Sequence, residues 1–413
     1  MFKKKFHTLM KRSLAGVLCL GLLASQPAVA YATEPTVSAA PEAAHSATYS
    51  QAADTDSVEG WPSGPCIEGQ SAVLMDAVTD TILYSKNADD KLYPASITKI
   101  MTALLACENL KMNDTITMSQ EAAYGIEAGS STIYAETDEV FTVEQALMAL
   151  MLESANEMAL ALAEKTSGSV KKFVELMNQR AAQLGCKNTH FNNPNGLPDE
   201  THYTTASDMM KIAKAAWYNP LFRKFVTTQT YEIPPTNKQS ETRYLLNHHK
   251  MMAGQSYAYD GVLGGKTGYT NDAGNTLVTY AKRGNSILIA VVLNSTNGAF
   301  PDTTSLFDYG FDNFEKVDLN VDSDPVPTKF LPSEKYLLKN NGNTYPFYYM
   351  RHVYVTVPIG TDVSTLTRKQ WLLNNSIGPK RIKSKYYFND HMVGYGMQYE
   401  KEILSDLLLN TSF

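Results

Sequence analysis

The chain has 413 residues, of which 44% are hydrophobic, so it is long enough to form two domains with proper cores. Its formal net charge is −6, with 42 acidic against 36 basic side chains. Nucleic-acid binding needs a basic surface, and we therefore expect no nucleic-acid partner.

The first thirty residues have the three parts of a secretory signal peptide. A basic segment comes first, followed by the apolar run Leu14–Ala24 and a small-x-small cleavage pattern at residues 28–30. We therefore expect residues 1–30 to be removed and the protein to be exported, to the cell envelope or the medium. Removal takes away five basic and no acidic side chains, which changes the net charge from −6 to −11.

Residues 31–59 contain no leucine, isoleucine, phenylalanine or tryptophan. A segment of this composition cannot bury itself in a core, so it is predicted to be a flexible tether. The fold is expected to start near Trp61, with a first domain over residues 60–316. From Val317 onward, short runs rich in tyrosine, valine, threonine and proline predict a small β-rich domain over residues 317–413, which we interpret as a spacer or docking module.

Two short β-rich runs, Ser71–Met75 and Thr81–Tyr84, are joined by a turn and predict a hairpin. The hairpin leads into Tyr93–Glu108, a helical pattern with almost no polar face, which is typical of a buried helix. Ser96 lies in the first turn, where free N–H groups and the helix dipole favour a developing negative charge. Lys99 is three residues further on, so its ammonium should lie beside the Ser96 hydroxyl.

The Ser96–Lys99 pair has the composition of a nucleophile with its own base. An apolar surrounding disfavours the charged form of a lysine, so Lys99 can exist as a free amine that accepts the serine proton. The chain contains a second Ser-x-x-Lys sequence, Ser169–Lys172, which we interpret as a helix N-cap followed by solvated charges.

Thr142–Glu164 has a long apolar helical pattern, and Phe173–Leu184 and Met209–Tyr218 predict two further helices. Within the first pattern, Ser154 and Asn156 place a hydroxyl and an amide where a core helix has apolar side chains. Buried polar groups need partners, so the interruption marks either an irregularity of the helix or a site.

The β-rich runs Asn275–Tyr280 and Ser286–Asn294 predict a second hairpin, and Leu306–Phe314 is again helical. Strands at both ends of the domain with helices between them predict an α/β fold of the α+β kind. One antiparallel sheet, completed by the N-terminal hairpin, would carry a layer of helices. Lys266–Gly268 follows several glycines, which would let another backbone approach an exposed strand edge.

Taken in order, Ser96 with Lys99, Ser154 with Asn156, and Lys266–Gly268 resemble the three motifs of the penicillin-recognising serine enzymes. More narrowly, the chain resembles the low-molecular-mass penicillin-binding proteins that are serine-type D-Ala-D-Ala carboxypeptidases. The similarity extends over Ala72–Phe314 and includes the segments Leu74–Asp76, Tyr93–Ser96, Asn193–Leu197, His202–Ala206 and Phe307–Phe311.

The resemblance implies a transpeptidase-like, that is β-lactamase-like, catalytic domain over residues 60–316, followed by a small C-terminal β domain. It implies an exported enzyme of cell-wall assembly whose substrates are peptidoglycan stem peptides ending in D-Ala-D-Ala. It also implies covalent inhibition by β-lactam antibiotics and no cofactor.

Particular roles are implied for the motif residues. Ser96 would attack the carbonyl of the penultimate D-alanine, with Lys99 as its base, and Ser154 would pass the proton toward the leaving amine together with Lys266. Backbone N–H groups of Ser96 and Tyr269 would form the oxyanion hole, because donors aimed at the developing charge usually stabilise the transition state more than any other group does. The residues expected to contact substrate are Asn156 at the amide, Thr267 at the terminal carboxylate, and Lys266, Gly268 and Tyr269.

Several alternatives stay open. A secreted β-lactamase shares the three motifs, but its usual Glu-x-x-Leu-Asn sequence is absent between Asn156 and Lys266. An endopeptidase or a transpeptidase would act on the same D-Ala bond. A catalytically idle cell-wall-binding protein would not need the intact Ser96–Lys99 pair.

No metal site is predicted. His202, His248 and His249 lack ligand spacing such as His-Glu-x-x-His, and the three cysteines after residue 30 include no Cys-x-x-Cys pair. We interpret none of these histidines as a metal ligand or as an acid–base group.

One departure from the family concerns an arginine that usually follows the second strand of the C-terminal hairpin and helps to hold the substrate carboxylate. The segment Asn297–Asp302 has none. A carboxylate taken into a cleft needs compensation. Thr267 and Lys266 are the candidates by motif, and Arg243 or Arg283 would serve only if the fold brings them near.

Contact of the mature protein with a membrane is undecided from the sequence. Tyr399–Phe413 has the apolar positions of a short amphipathic helix, but its polar face is acidic rather than basic. We interpret it as a final core element.

Overall fold

The computed structural model describes residues 48–319, 347–349, 353–373 and 381–400. The predicted signal peptide, residues 31–47 of the predicted tether and residues 401–413 lie outside these ranges. The helices are α1 (Lys99–Asn109), α2 (Gln120–Tyr124), α3 (Val143–Leu152), α4 (Asn156–Ser167), α5 (Val170–Gln183), α6 (Ala206–Tyr218), α7 (Pro220–Val226) and α8 (Ala299–Asn313). The strands of the first domain are β1 (Ser71–Asp76), β2 (Thr81–Lys86), β3 (Thr115–Thr117), β4 (Val140–Thr142), β5 (Thr230–Ile233), β6 (Arg243–Leu246), β7 (Val262–Thr270), β8 (Gly274–Arg283) and β9 (Ser286–Ser295).

A five-stranded antiparallel sheet with the order β2-β1-β9-β8-β7 forms the centre of the first domain. Along β1, Leu74 lies opposite Ala290 of β9, and successive side chains point to opposite faces. Val73 and Met75 pack into one core, and Leu74 packs into the other. The sheet is therefore buried on both faces, and the predicted antiparallel sheet is confirmed.

Helices lie on both faces of this sheet. Helices α1 to α7 share one core with it. Helix α8 packs on the opposite face through Leu306, Phe307 and Tyr309. The single helical layer expected from the sequence is thus the larger of two. The helical pattern of α8 is visible in the sequence, but nothing in that pattern indicates which face of the sheet the helix covers.

The pattern over Thr142–Glu164 forms two helices rather than one. A capping box, in which Thr142 and Gln145 satisfy each other's backbone N–H groups, begins α3. Ser154 then adopts the left-handed conformation, with φ of 59°, and α4 begins at Asn156. A left-handed residue ends the α-helical hydrogen-bond pattern, so the polar interruption seen in the sequence is a break in the backbone.

The predicted tether is wrong for residues 48–59, which pack onto the hairpin of β1 and β2. Ala53 and Thr55 are buried. The buried ammonium of Lys86 donates to the Thr48 carbonyl oxygen at 2.7 Å, and the side-chain amides of Gln51 and Asn87 bond each other. Small side chains and backbone carbonyls hold this segment in place, and a count of large apolar residues does not detect them.

The second sheet contains β10 (Phe314–Asp318), β11 (Phe347–Tyr349), β12 (Tyr354–Pro358), β13 (Thr367–Leu373), β14 (Arg381–Phe388) and β15 (His391–Glu400). Its order is β10-β12-β15-β14-β13, with β11 beside β15. The small β-rich domain is therefore present, although its first strand begins at Phe314 and crosses the predicted 316/317 boundary. Among the described residues, no helix combines the length and the hydropathy that a membrane span requires.

The two sheets share a core. The Trp61 ring contacts the rings of Phe314, Phe388 and His391, with centroids 4.9, 5.8 and 4.5 Å away. Its Nε1 donates to a carbonyl of β2. The β-rich domain is thus packed directly against the residues that open the first domain.

This packing sets an expected result for a chain truncated after Asp318. Removing β11 to β15 leaves β10 unpaired and exposes Trp61, so unfolding should need markedly less denaturant. We expect a stability loss of about 3–5 kcal/mol, comparable to truncating one large buried aromatic side chain. The truncated chain should still be labelled by fluorescent penicillin, since the three motifs precede Phe314. A truncated chain that is folded by circular dichroism yet unlabelled would show that the β-rich domain supports the site.

Candidate active site

Ser96 lies in a tight 3-10 turn, Ala95–Thr98, which leads directly into α1. The helical segment predicted over Tyr93–Glu108 therefore begins two residues later, and its first turn is tighter than an α-helix. The Ser96 side chain is half-buried, whereas its neighbours in the turn are buried. The turn thus presents one hydroxyl at the surface of an otherwise apolar element.

Two contacts hold this turn in place. Thr276 of β8 donates from Oγ1 to the Pro94 carbonyl oxygen at 2.8 Å. On the other side, a Cβ at Gly196 would lie 1.9 Å from the Ala95 carbonyl oxygen, and Gly196 has φ of 89°. Only glycine fits this close approach and this conformation. The position of Ser96 is therefore fixed by both the sheet and the loop after α5.

Lys99 is fully buried, and its Nζ lies within hydrogen-bond distance of three oxygens. These are Ser96 Oγ at 2.9 Å, Asn156 Oδ1 at 2.6 Å and the Asn195 carbonyl oxygen at 2.7 Å. The amide and carbonyl oxygens can only accept, so they take both N–H groups of a neutral amine. The lone pair of that amine then faces the Ser96 hydroxyl.

The surroundings of Lys99 favour the neutral amine. Burial, and then the positive charge of Lys266, hold the pKa of Lys99 well below its ordinary value, while Glu157 acts in the opposite direction. A base must be unprotonated before it can accept a proton. Burial and the charge of Lys266 thus act in the direction that the predicted free amine requires.

Ser154 occupies the break between α3 and α4. Its side chain is 5% exposed, and its Oγ has no hydrogen-bond partner among the described residues. Asn156 follows at the start of α4, with its N–H donating to the Ser131 carbonyl oxygen at 2.9 Å. A buried hydroxyl without a partner is costly in a core and useful in a site, where a substrate can supply the partner.

Lys266 of β7 is also buried. Burial lowers its pKa to about 7, and the carboxylate of Glu153 opposes this shift. Its Nζ donates to the Thr267 carbonyl oxygen at 3.1 Å. The preceding residue, Gly265, has no room for a side chain, because a Cβ would lie 2.6 Å from the imidazole of His249. Near neutral pH, Lys266 can therefore both hold and release a proton.

Strand β7 is the edge of the sheet nearest to the nucleophile. A Cβ at Gly268 would lie 2.8 Å from the backbone nitrogen of Ser96 and 3.1 Å from that of Ile97. Gly268 therefore allows the strand to approach the Ser96 turn closely. Thr267 is half-buried beside it, and Tyr269 is 63% exposed at the rim.

A cleft of about 330 Å³ lies over these groups. Its lining residues are Ser96, Ser131, Ser154, His248, Thr267, Gly268, Tyr269, Asn275, Thr276, Leu277, Gly298, Ala299 and Phe300. Five of the eight residues predicted from sequence line this cleft. The other three, Lys99, Asn156 and Lys266, are buried, and the two lysines bond to residues of the cleft wall.

Sequence reasoning missed other residues of the site. Asn195 binds Lys99 through its main chain, so only its place in the Asn193–Leu197 segment could have indicated it. Ser131 and His248 come from a loop and from the segment after β6. No local pattern marks either residue, because the tertiary fold alone brings them to the cleft.

The two arginines considered for the substrate carboxylate do not line the cleft. Arg243 is bound by Glu139, with N–O distances of 2.7 and 3.0 Å, and its guanidinium lies over the Phe141 ring. Arg283 lies over the Phe311 ring on the α8 side of the sheet. Both are engaged elsewhere, which excludes them as carboxylate-binding groups.

Two of the three histidines have structural roles. His202 accepts at Nδ1 from the Asn192 N–H, so its Nε2 carries the proton and donates to Thr98 Oγ1 at 2.9 Å. Burial lowers its pKa to about 4. His249 is bound to Thr279 Oγ1 through Nε2 at 2.8 Å. Both rings support the walls of the site as neutral groups.

A family model described as D-alanyl-D-alanine carboxypeptidase matches residues 59–297. The D-alanyl-D-alanine carboxypeptidase DacF of Bacillus subtilis is 39% identical over 255 residues, which are 60% of this chain and 63% of that protein. The D-alanyl-D-alanine carboxypeptidase of Streptomyces sp. K15 is 35% identical over 258 residues, which are 60% of this chain and 88% of that protein. The chain thus spans less than two thirds of the Bacillus relative.

Solved structures of similar proteins agree with the fold. The Streptomyces K15 DD-transpeptidase has a TM-score of 0.57 and 33% identity, covering 60% of this chain and 99% of that one. A D-alanyl-D-alanine carboxypeptidase from Mycobacterium tuberculosis has a TM-score of 0.55 and 28% identity, covering 62% and 95%. The family model matches more than half of the residues, and the chain therefore belongs to the D-alanyl-D-alanine carboxypeptidase family, peptidase family S11.

Proposed function

We propose that the protein is an exported serine-type D-Ala-D-Ala carboxypeptidase that shortens peptidoglycan stem peptides through an acyl-enzyme on Ser96. The observation that carries this proposal is the buried amine of Lys99. It lies 2.9 Å from Ser96 Oγ, with both of its N–H groups matched by acceptors. The named activity of the family and of the relatives in Bacillus and Streptomyces supplies the substrate class.

In the first step, Ser96 Oγ attacks the carbonyl carbon of the penultimate D-alanine while Lys99 takes the hydroxyl proton. Backbone N–H groups of Ser96 and Tyr269 stabilise the oxyanion that forms, and Gly268 permits the close strand approach that this requires. The C–N bond then breaks. The leaving amine receives its proton through Ser154, whose Oγ has no other described partner.

Lys266 completes this proton path. With a pKa of about 7, it can supply a proton to Ser154 and take one back at neutral pH. Asn156 holds the substrate amide, and its Oδ1 already orients Lys99. Lys99 passes the serine proton through Ser154 to Lys266 and becomes neutral again. Water then attacks the acyl carbon and gives a proton to Lys99, which delivers it to Ser96 Oγ as the acyl C–O bond breaks, and the shortened peptide leaves.

β-Lactam antibiotics react with the enzyme in the same first step, the acylation of Ser96. Ser96 opens the four-membered ring, and the leaving nitrogen stays attached to the acyl group, so it occupies the path of the attacking water. A stable penicilloyl-enzyme is the result. Covalent labelling is therefore a direct measure of acylation.

Transfer of the acyl group to an amine is the second candidate function. The observation that favours it is the likeness to the Streptomyces K15 DD-transpeptidase, of which this chain covers 99%. The half-exposed Ser96 and the open cleft can receive an amine as well as water. The two functions differ only in the acceptor.

The test uses the purified protein after removal of residues 1–30. It is incubated with a pentapeptide ending in D-Ala-D-Ala, with and without an amino-acid acceptor, and free D-alanine and exchanged peptide are measured. Release of D-alanine with little exchange supports the carboxypeptidase, and predominant exchange supports the transpeptidase. Absence of both, together with absence of penicillin labelling, would overturn the proposal.

Thr267→Val tests the binding of the terminal carboxylate. Removing a hydroxyl that bonds a charged group costs about 1.5–3 kcal/mol, so kcat/KM for the free acid should fall about 10- to 100-fold. The C-terminal amide of the same peptide should be affected much less. If wild type rejects the amide by several orders of magnitude and Thr267→Val does not relax that preference, Thr267 does not hold the carboxylate.

A further inference from the structure

The cleft offers a substrate carboxylate few cationic partners. Helix α8 begins at the cleft, and its first turn provides only Gly298, Ala299 and Phe300 to the lining. Lys99 and Lys266 are buried and engaged with Asn156 and with a main-chain carbonyl. Among the described residues that line the cleft, His248 carries the one side chain that can become a cation.

Glu153 fixes the position of the His248 ring. Its Oε2 lies 3.0 Å from His248 Nε2, and its Oε1 accepts from the Leu246 N–H at 2.6 Å. The carboxylate therefore ties the segment after β6 to the C-terminus of α3, next to Ser154. Because Nε2 donates to Glu153, Nδ1 is left for a ligand, and in the imidazolium both nitrogens are donors.

The exposure of the ring suits a binding role. The His248 side chain is 49% exposed and the Glu153 side chain 24%, so the imidazole reaches the cleft while the carboxylate lies behind it. The Glu153 carboxylate accepts from Nε2 and so holds the ring in this position. A carboxylate that enters the cleft would otherwise carry an uncompensated charge, which is costly.

We propose that His248 binds the terminal carboxylate of the substrate together with Thr267, and that Glu153 is the positioning residue for His248. This inference rests on the proposed function, since it assigns one end of the same substrate. It gives the cleft a selectivity for acyl groups followed by a free C-terminal carboxylate. It also accounts for how the site works without an arginine in the segment Asn297–Asp302.

The experiment compares the free acid and the C-terminal amide of a pentapeptide ending in D-Ala-D-Ala. In His248→Gln, kcat/KM for the acid should fall about 10- to 100-fold, chiefly through KM, because a charged hydrogen bond is lost. The amide should change little. His248→Arg keeps a cation with several donors and should retain most of the preference for the acid.

Two further variants make the test specific. Glu153→Gln replaces the carboxylate that positions the ring by a neutral amide and should give a smaller loss in the same acid-to-amide ratio. Lys224→Gln removes a cation from the surface ion pair with Glu144, where the N–O distance is 2.7 Å. Lys224 lies outside the cleft lining, so the acid-to-amide ratio of this variant should equal that of wild type.

An unchanged acid-to-amide ratio in His248→Gln, with wild type active, would overturn this inference alone. Equal losses for acid and amide would also overturn it, since they indicate a structural role. A wild type that neither releases D-alanine nor reacts with penicillin would overturn the proposed function and this inference with it.

Discussion

Ser96→Ala should abolish covalent labelling by penicillin and lower D-alanine release by at least about 10⁴-fold. In a serine protease, removing the nucleophile lowers kcat about as much as removing the whole catalytic triad, by a factor near 10⁶. The substitution removes one hydrogen bond, between the Ser96 hydroxyl and Lys99, and leaves the backbone contacts of the turn intact. The variant should therefore fold normally. Gel fluorescence after incubation with a labelled penicillin measures the first effect.

The chain contains a matched control for this variant. Ser169 is the serine of the second Ser-x-x-Lys sequence, and it caps α5 by accepting from the Lys172 N–H at 3.3 Å. The predicted N-cap is thus confirmed. Ser169→Ala should cost about 1 kcal/mol of stability and leave labelling intact. Undiminished labelling of Ser96→Ala would refute the assignment of the nucleophile.

Lys99→Arg should be nearly as inactive as Ser96→Ala, with acylation slower by at least about 10³-fold. A guanidinium stays protonated in proteins, so it cannot accept the Ser96 proton. The pocket that holds Nζ between Asn156 Oδ1 and the Asn195 carbonyl is also fully buried and shaped for a single nitrogen. The rate of penicillin acylation, followed by stopped-flow fluorescence, measures the loss of the base.

Size and charge can be separated with Lys99→Met, which removes the base without adding bulk. It should be as slow in acylation as Lys99→Arg. It also leaves two buried acceptors without donors, so unfolding should need less denaturant, by about 1–3 kcal/mol for each acceptor. Lys172 holds the lysine position of the second Ser-x-x-Lys sequence, Ser169–Lys172. Lys172→Arg serves as the control and should be active. Near-normal acylation by Lys99→Arg would show that a free amine at this position is not the base.

The elements that could be predicted from the sequence are those whose pattern lies within a short stretch of the chain. The hairpin of β1 and β2, the helices α5 and α6, and the hairpin of β8 and β9 all have a clear period and turn residues between them. Most residues of the candidate site occur in short motifs, which made them visible as well. The motifs singled out Ser96, Lys99 and Ser154 without any knowledge of the distances among them.

The rest depends on contacts that are distant in the sequence. The left-handed conformation of Ser154, which divides one helical pattern into two helices, is held by the surrounding fold and not by a glycine. Residues 48–59 are ordered by backbone carbonyls and small side chains. His248 reaches the cleft because Glu153 holds the segment after β6. None of these contacts leaves a periodic signal in the sequence.

The strand order of the catalytic sheet also constrains when the protein can fold. Strand β1 lies between β2 and β9, so Leu74 gains its second neighbour only after Ala290 has been synthesised. Until then, the turn that carries Ser96 lacks strands β7 and β8, against which it packs. Closing so long a loop makes folding slow, and the emerging chain exposes hydrophobic surface meanwhile. The nucleophile is thus among the first parts of the domain to be made and among the last to be enclosed.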